Sequence, residues 1–122
     1  MAQNTAGQTL TATVGNGVVN HAVGTVVFDA TAITATDYVE INCGFQPTKV
    51  TWVNLTDRIS GEFYQGMAAN GCLKTVAAGT RTLEVTGGNG GITITSTGFR
   101  VLQNATLALV LASKTCAWEA VQ

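Results

Sequence analysis

A single histidine, His21, carries all of the imidazole chemistry open to this chain. A Ser-His-Asp or Cys-His arrangement would have to be built on it, because both use an imidazole to activate the nucleophile. In its Val-Asn-His-Ala-Val context, an exposed or hydrogen-bonded structural histidine is the expected state. Metal sites built on histidine pairs are excluded by count. Cys43, Cys72 and Cys116 are widely spaced, with no C-x-x-C and no Cys/His cluster, so a zinc site is not expected. They read as small buried apolar side chains, and a disulfide between two of them stays open. The carboxylates are Asp29, Asp37, Glu40, Asp57, Glu62, Glu84 and Glu119. A glycosidase-like pair among them would need a set separation and a cleft walled by aromatics. The chain has two Trp, two Tyr and four Phe, and a core of this size claims about half of them. Gly87-Gly88-Asn89-Gly90-Gly91 lacks the Gly-Lys-Ser/Thr ending of a phosphate loop and reads as a turn. No catalytic residue, metal ligand or cofactor site is assigned, and the chain is not expected to be an enzyme.

The elements that would position any site are strands. At 122 residues the chain fits one domain. Glycines recur every several residues with β-branched residues between them, and no dozen-residue window shows a helical apolar stripe. Val39, Ile41, Cys43 and Phe45 alternate with Tyr38, Glu40, Asn42 and Gly44, which predicts a half-buried strand over 37–45. Further strands are expected over 21–30, 49–55, 59–67, 73–76, 81–85, 92–95, 98–102 and 106–114, with an extension of the last through Trp118 left open. Ala77-Ala78-Gly79-Thr80 is expected as a four-residue turn. The predicted class is all-β, an antiparallel β-sandwich or jelly roll with an extended N-terminal arm. The core is expected to draw on Val39, Ile41, Phe45, Val50, Trp52, Phe63, Ile92, Ile94, Phe99, Leu109 and Leu111. Residues 1–20 form an arm or edge strand and residues 21–122 the sandwich domain.

Charge separates the classes of partner. Charged residues are 11% of the chain, against about 25% in an average soluble domain. A surface so poor in charge suits a protein packed against neighbours. The net charge is -1, and the six Lys and Arg are scattered, so no basic stripe exists for nucleic acid. The start of the chain lacks the basic and apolar regions of a secretory signal. Its longest apolar run, Leu107–Ala112, is far short of the ~18–20 residues of a membrane helix. Candidate interface residues are Thr9, Leu10, Thr11 and Thr13, whose alternation suits strand addition to a neighbour's sheet. Arg58 and Glu62, an even number of residues apart and so on one face if one strand holds both, join them as part of the one local cluster of opposite charge, with Asp57, and so does Tyr64.

The middle of the chain resembles small virion proteins encoded among the head genes of tailed bacteriophages. The resemblance is carried by Gly44-Phe45-Gln46-Pro47 with Val50, then Asn54-Leu55-Thr56-Asp57-Arg58, Glu62 and Gln65-Gly66-Met67-Ala68. It continues through Lys74–Thr82 and Gly91-Ile92-Thr93-Ile94 to Gly98-Phe99, and covers about half of the chain. Such proteins look like capsid decoration, or cement, proteins. The resemblance implies a structural protein of the virion, made in the bacterial cytoplasm and docked as a homotrimer on the capsid exterior against the major capsid protein. The alternative is a tail or fibre module that binds host glycans, which expects exposed aromatics on loops, with Tyr38, Tyr64 and Trp118 as candidates.

Overall fold

The computed structural model describes residues 8–14, 20–34, 37–68, 71–84, 91–103 and 108–122, the first of these stretches as backbone only. They form ten strands and no helix: β1 (Gln8–Val14), β2 (His21–Phe28), β3 (Tyr38–Asn42), β4 (Lys49–Asn54), β5 (Ile59–Tyr64), β6 (Cys72–Thr75), β7 (Arg81–Glu84), β8 (Gly91–Ile94), β9 (Gly98–Leu102) and β10 (Thr115–Val121). All ladders are antiparallel. A large sheet has the order β1-β2-β10-β4-β5-β6-β7 and a small one the order β3-β9-β8. The protein is therefore an all-β sandwich of unequal sheets. A jelly roll would divide eight strands between two sheets; here β4 to β7 run as a plain meander along the large sheet. No helix among the described residues is long and apolar enough to cross a membrane.

Alternation builds the core. Val50 and Trp52 on β4, Cys116, Trp118 and Ala120 on β10, and Ala22, Val26 and Phe28 on β2 point inward from the large sheet. Val39, Ile41, Ile92, Phe99 and Val101 answer them from the small one. Phe99 is the wedge between the sheets. It meets Trp52 edge-on, with ring centroids 6.4 Å apart, and Trp118 at 5.5 Å, and such pairs each add about 1 kcal/mol beyond area burial. Trp118 was expected near a strand end or loop; it is 3% exposed at the middle of β10.

The final strand starts later than its apolar run predicts. Residues 108–114 form a turn-rich loop that includes Ala108 and Ser113 at positive φ, and the strand follows at Thr115. The loop still fills the core. Leu109 and Val110 are buried, and the Leu109 carbonyl accepts hydrogen bonds from the Trp52 indole N–H at 2.8 Å and the Cys116 thiol at 3.4 Å. Leu111 and Ile94, both expected in the core, are only partly buried. Asn54 anchors the loop from β4. Its side-chain amide donates to the Ala108 carbonyl at 2.9 Å and to Asp57 at 3.0 Å.

Of the two readings of residues 1–20, residues 8–14 are an edge strand of the protein's own large sheet, paired with β2 along their length. Residues 15–17, 69–70 and 104–107, and Gly87 to Gly90 of the glycine-rich turn, lie outside the described residues.

Two glycines within strands are required by close approach. A Cβ on Gly98 would lie 1.8 Å from the Ile41 carbonyl oxygen on the paired strand. On Gly61, opposite Trp52, it would lie 2.5 Å from the Cys72 sulfur and 2.8 Å from a Leu109 methyl. The first contact is with backbone and the second with side chains that can shift. In urea unfolding, Gly61→Ala is expected to cost about 1–3 kcal/mol, and Gly98→Ala more than that or the fold itself.

Candidate interaction face

The two outer faces of the sandwich differ in chemistry. The small sheet turns Tyr38, Glu40, Asn42 and Arg100 outward. Arg100 donates to Glu40 at 2.7 Å and lies over the Tyr38 ring at 4.8 Å from its centroid, which makes this face polar and charged. The large sheet turns out a broad, nearly neutral surface. Its register lines up Thr25, Ala117, Val53, Ser60, Thr75 and Arg81 in one row across five ladders. The next row is Val23, Glu119, Thr51, Glu62, Leu73 and Leu83. A shallow hollow of about 170 Å³ lies between the rows at their centre, lined by Thr51, Val53, Ala117 and Glu119.

Every large hydrophobic side chain that is exposed among the described residues lies on this side. Val23 and Val27 are on β2, Leu55 continues β4 beside Thr115, Tyr64 ends β5 and Leu83 is on β7. Charges on the face are matched locally. His21 meets Glu119 at 2.7 Å, Arg81 meets Glu62 at 3.1 Å, the Tyr64 hydroxyl donates to Glu62 at 2.7 Å, and the Lys49 ammonium sits 5.5 Å from the centre of the Tyr64 ring. Such exposed pairs contribute little stability; Arg81 and Glu62 offset each other's charge, and the Glu119 carboxylate is hydrogen-bonded by His21. The Glu62 carboxylate beside it pushes the Tyr64 hydroxyl above its ordinary range.

The predicted interface residues distribute unevenly over this geometry. Glu62 and Tyr64 lie on the face. Arg58 does not join them: it occupies the β4–β5 turn at φ 58°, outside the strand, so the even spacing from Glu62 sets no common face. Asp57 is drawn to the other side of the turn, where it takes the Asn54 amide and the Lys114 ammonium at 3.1 Å. Thr9, Thr11 and Thr13 stand opposite Val27, Thr25 and Val23, the outward positions of β2, and Leu10 stands opposite the buried Val26; their side chains lie outside the described residues. Val23, Val27, Leu55 and Leu83 were missed as a set. Their signal was present as polar-phase positions occupied by Val or Leu, but only the strand order brings them to one surface. Of the three aromatics considered for glycan contact, Trp118 is buried in the core and Tyr38 lies beneath Arg100; Tyr64 alone is exposed.

No group of three or more His, Cys, Asp or Glu among the described residues is placed to hold a metal ion. A second hollow, of about 240 Å³, lies at one end of the sandwich among Gln46, Pro47, Phe63, Gln65, Met67 and Ile94. No titratable side chain lines it. His21, the one imidazole, is engaged with Glu119. No protein-family model, curated protein or solved structure matches the chain.

The cysteines are free and buried. Burial pushes the Cys72 thiol up to about 11 and the Cys116 thiol up to about 12, and raises Cys43 as well. In the unfolded chain these thiols ionise near their ordinary value of about 8.5. The folded form therefore holds protons that the unfolded form releases. Stability is expected to be full below about pH 8.5 and to fall as pH rises from there toward 11–12. Guanidinium titrations between pH 7 and 11 check this. A thiol reagent at pH 8 should label the native chain far more slowly than the unfolded one.

Proposed function

We propose that this chain is a structural docking protein. It lays the outer face of its large sheet on other protein subunits, as a decoration protein on the exterior of a phage capsid, where it stabilises contacts between major capsid subunits. The observation that carries this reading is the asymmetry of the sandwich. Exposed Val23, Val27, Leu55, Tyr64 and Leu83 gather on one side, around a centre of Thr25, Thr51, Val53, Ser60 and Ala117 whose bordering carboxylates, Glu62 and Glu119, are engaged by Arg81 and His21. Covering such a surface removes apolar area from water at roughly 25 cal/mol per Å², and internally matched ion pairs need no charged partner. The resemblance of residues 44–99 to phage head-gene products supplies the kind of subunit covered. A cement role needs many weak contacts made together, and a broad flat sheet spanning a junction supplies them by multivalency.

The glycan-binding alternative finds less support, since an aromatic platform for sugar rings is reduced to Tyr64.

Two measurements test the proposal. The protein should be present in purified virions at a copy number near that of the major shell subunit; a handful of copies would place it in the tail instead. Ala117→Arg puts a long cation into the central hollow without touching the core. It is expected to leave the unfolding midpoint nearly unchanged and to weaken capsid binding by about tenfold or more, while Ala117→Ser binds as the parent does. Equal binding by the arginine variant would exclude this face as the docking surface.

A further inference from the structure

The large sheet outgrows the small one at its β7 end. Beyond β8, which meets the large sheet through the Gly71–Ile92 bridge, the β6–β7 hairpin projects as a wing. Arg81, Thr82 and Leu83 are all exposed there, although successive residues of a strand face opposite ways. Leu83 is 57% exposed, the most of any large hydrophobic residue among those described, and stands directly opposite Leu73. β7 is also the terminal strand of the sheet, so among the described residues one side of its backbone has no partner strand.

The hydrogen-bond phase of the hairpin says which groups lie on that open side. At the turn, the Val76 N–H donates to the Thr80 carbonyl at 3.1 Å. Bonded and non-bonded pairs alternate along an antiparallel ladder. Thr75–Arg81 is thus a non-bonded pair, Lys74–Thr82 bonded and Leu73–Leu83 non-bonded. The N–H and C=O of Arg81 and Leu83 therefore point away from β6, off the free edge.

From this we infer that β7 is a homotypic edge, pairing antiparallel with β7 of a second copy about a two-fold axis through Leu83. A two-fold axis normal to the sheet keeps the outer face outer in both copies, so partners must share a face and the axis must pass through a residue. The axis can pass through a bonded or a non-bonded pair, so Arg81, Thr82 and Leu83 are the candidates within the strand. Centring on Thr82 bonds Arg81 of each copy to Leu83 of the other, which sets a guanidinium against each leucine and splits the apolar row. Centring on Arg81 sets two guanidinium groups directly opposite each other, which is repulsive. Centring on Leu83 makes two reciprocal N–H···O=C bonds between the Leu83 residues. It also joins Leu73 and Leu83 of one copy to Leu83 and Leu73 of the other in a single apolar row. On the inner side the same register sets Glu84 beside Thr82 of the second copy, whose neighbour across the ladder is Lys74, so opposite charges approach and like charges do not. The pairing is isologous and closes at two copies, leaving the two docking faces side by side on one continuous sheet. It departs from the trimer that the family resemblance implies.

The inference rests on edge geometry alone and is independent of which surface the protein docks on. Sedimentation of the full chain from micromolar to millimolar concentration should show a monomer–dimer equilibrium, and Leu83→Lys should weaken it by about tenfold or more. A Leu83→Cys variant provides a second readout, since the native thiols are buried. Bonded antiparallel pairs stand about 5.5 Å apart at Cα, within disulfide reach. Air oxidation should link Leu83→Cys chains into dimers at least about tenfold faster than Thr82→Cys chains, whose substituted position meets Glu84 on the opposite face. A monomer throughout, a trimer, or linking of Thr82→Cys chains as fast as or faster than Leu83→Cys chains would overturn the inference.

Discussion

The sandwich depends on the insertion of Phe99 between Trp52 and Trp118. The two indoles are direct neighbours across the β4–β10 ladder, and Phe99 comes from the opposite sheet to meet both edge-on. A three-stranded sheet offers little area for holding a seven-stranded one, so its contribution has to be concentrated. The aromatic trio does that, and it constrains what surrounds it. Gly98 lets β9 approach β3 closely enough to aim Phe99, and the Trp52 indole N–H must find a partner inside the core. It finds the carbonyl of Leu109, which brings the 108–114 loop inward and makes part of the hydrophobic filling come from a segment that is not a strand.

That loop explains where the sequence was legible and where it was not. The alternation of Val39 and Ile41 against Tyr38, Glu40 and Asn42 reads directly as a strand with one wet face, and it is one. The β6–β7 turn at Ala77–Thr80 likewise follows from its residues. Leu107–Ala112 is the most apolar run in the chain, and local hydrophobicity argued for a strand there. What decides otherwise is a tertiary demand: Leu109 and Val110 are buried through a loop that reverses at left-handed Ala108 and Ser113. The strand that follows alternates Cys116, Trp118 and Ala120 with Ala117 and Glu119. Its inward set mixes small and large side chains, so its period was weak to the eye.

The candidate face was legible only in part, for a related reason. Low overall charge directed attention to the surface, and Glu62 and Tyr64, chosen by their types, lie on the outer side of the large sheet. The pairing of Arg58 with Glu62 failed because even spacing implies a common face only while both residues stay in the strand, and Arg58 sits in the turn. The apolar members of the face come from β2, β7 and the β4–β5 turn, separated by tens of residues. Strand order, which no local pattern encodes, makes them one surface and gives that surface the opposite character to the other side of the molecule.

The three unlinked sulfurs carry a further consequence. Cys43, Cys72 and Cys116 serve as apolar filling, each shielded from solvent and none bonded to another. The architecture is closed by aromatic contact and strand pairing, with no covalent tie across it. Its integrity is thus indifferent to redox poise: a reducing milieu has no bridge to cleave, and an oxidising one finds no accessible thiolate to capture. The same conformation can be formed in one compartment and used in another without any maturation chemistry between them.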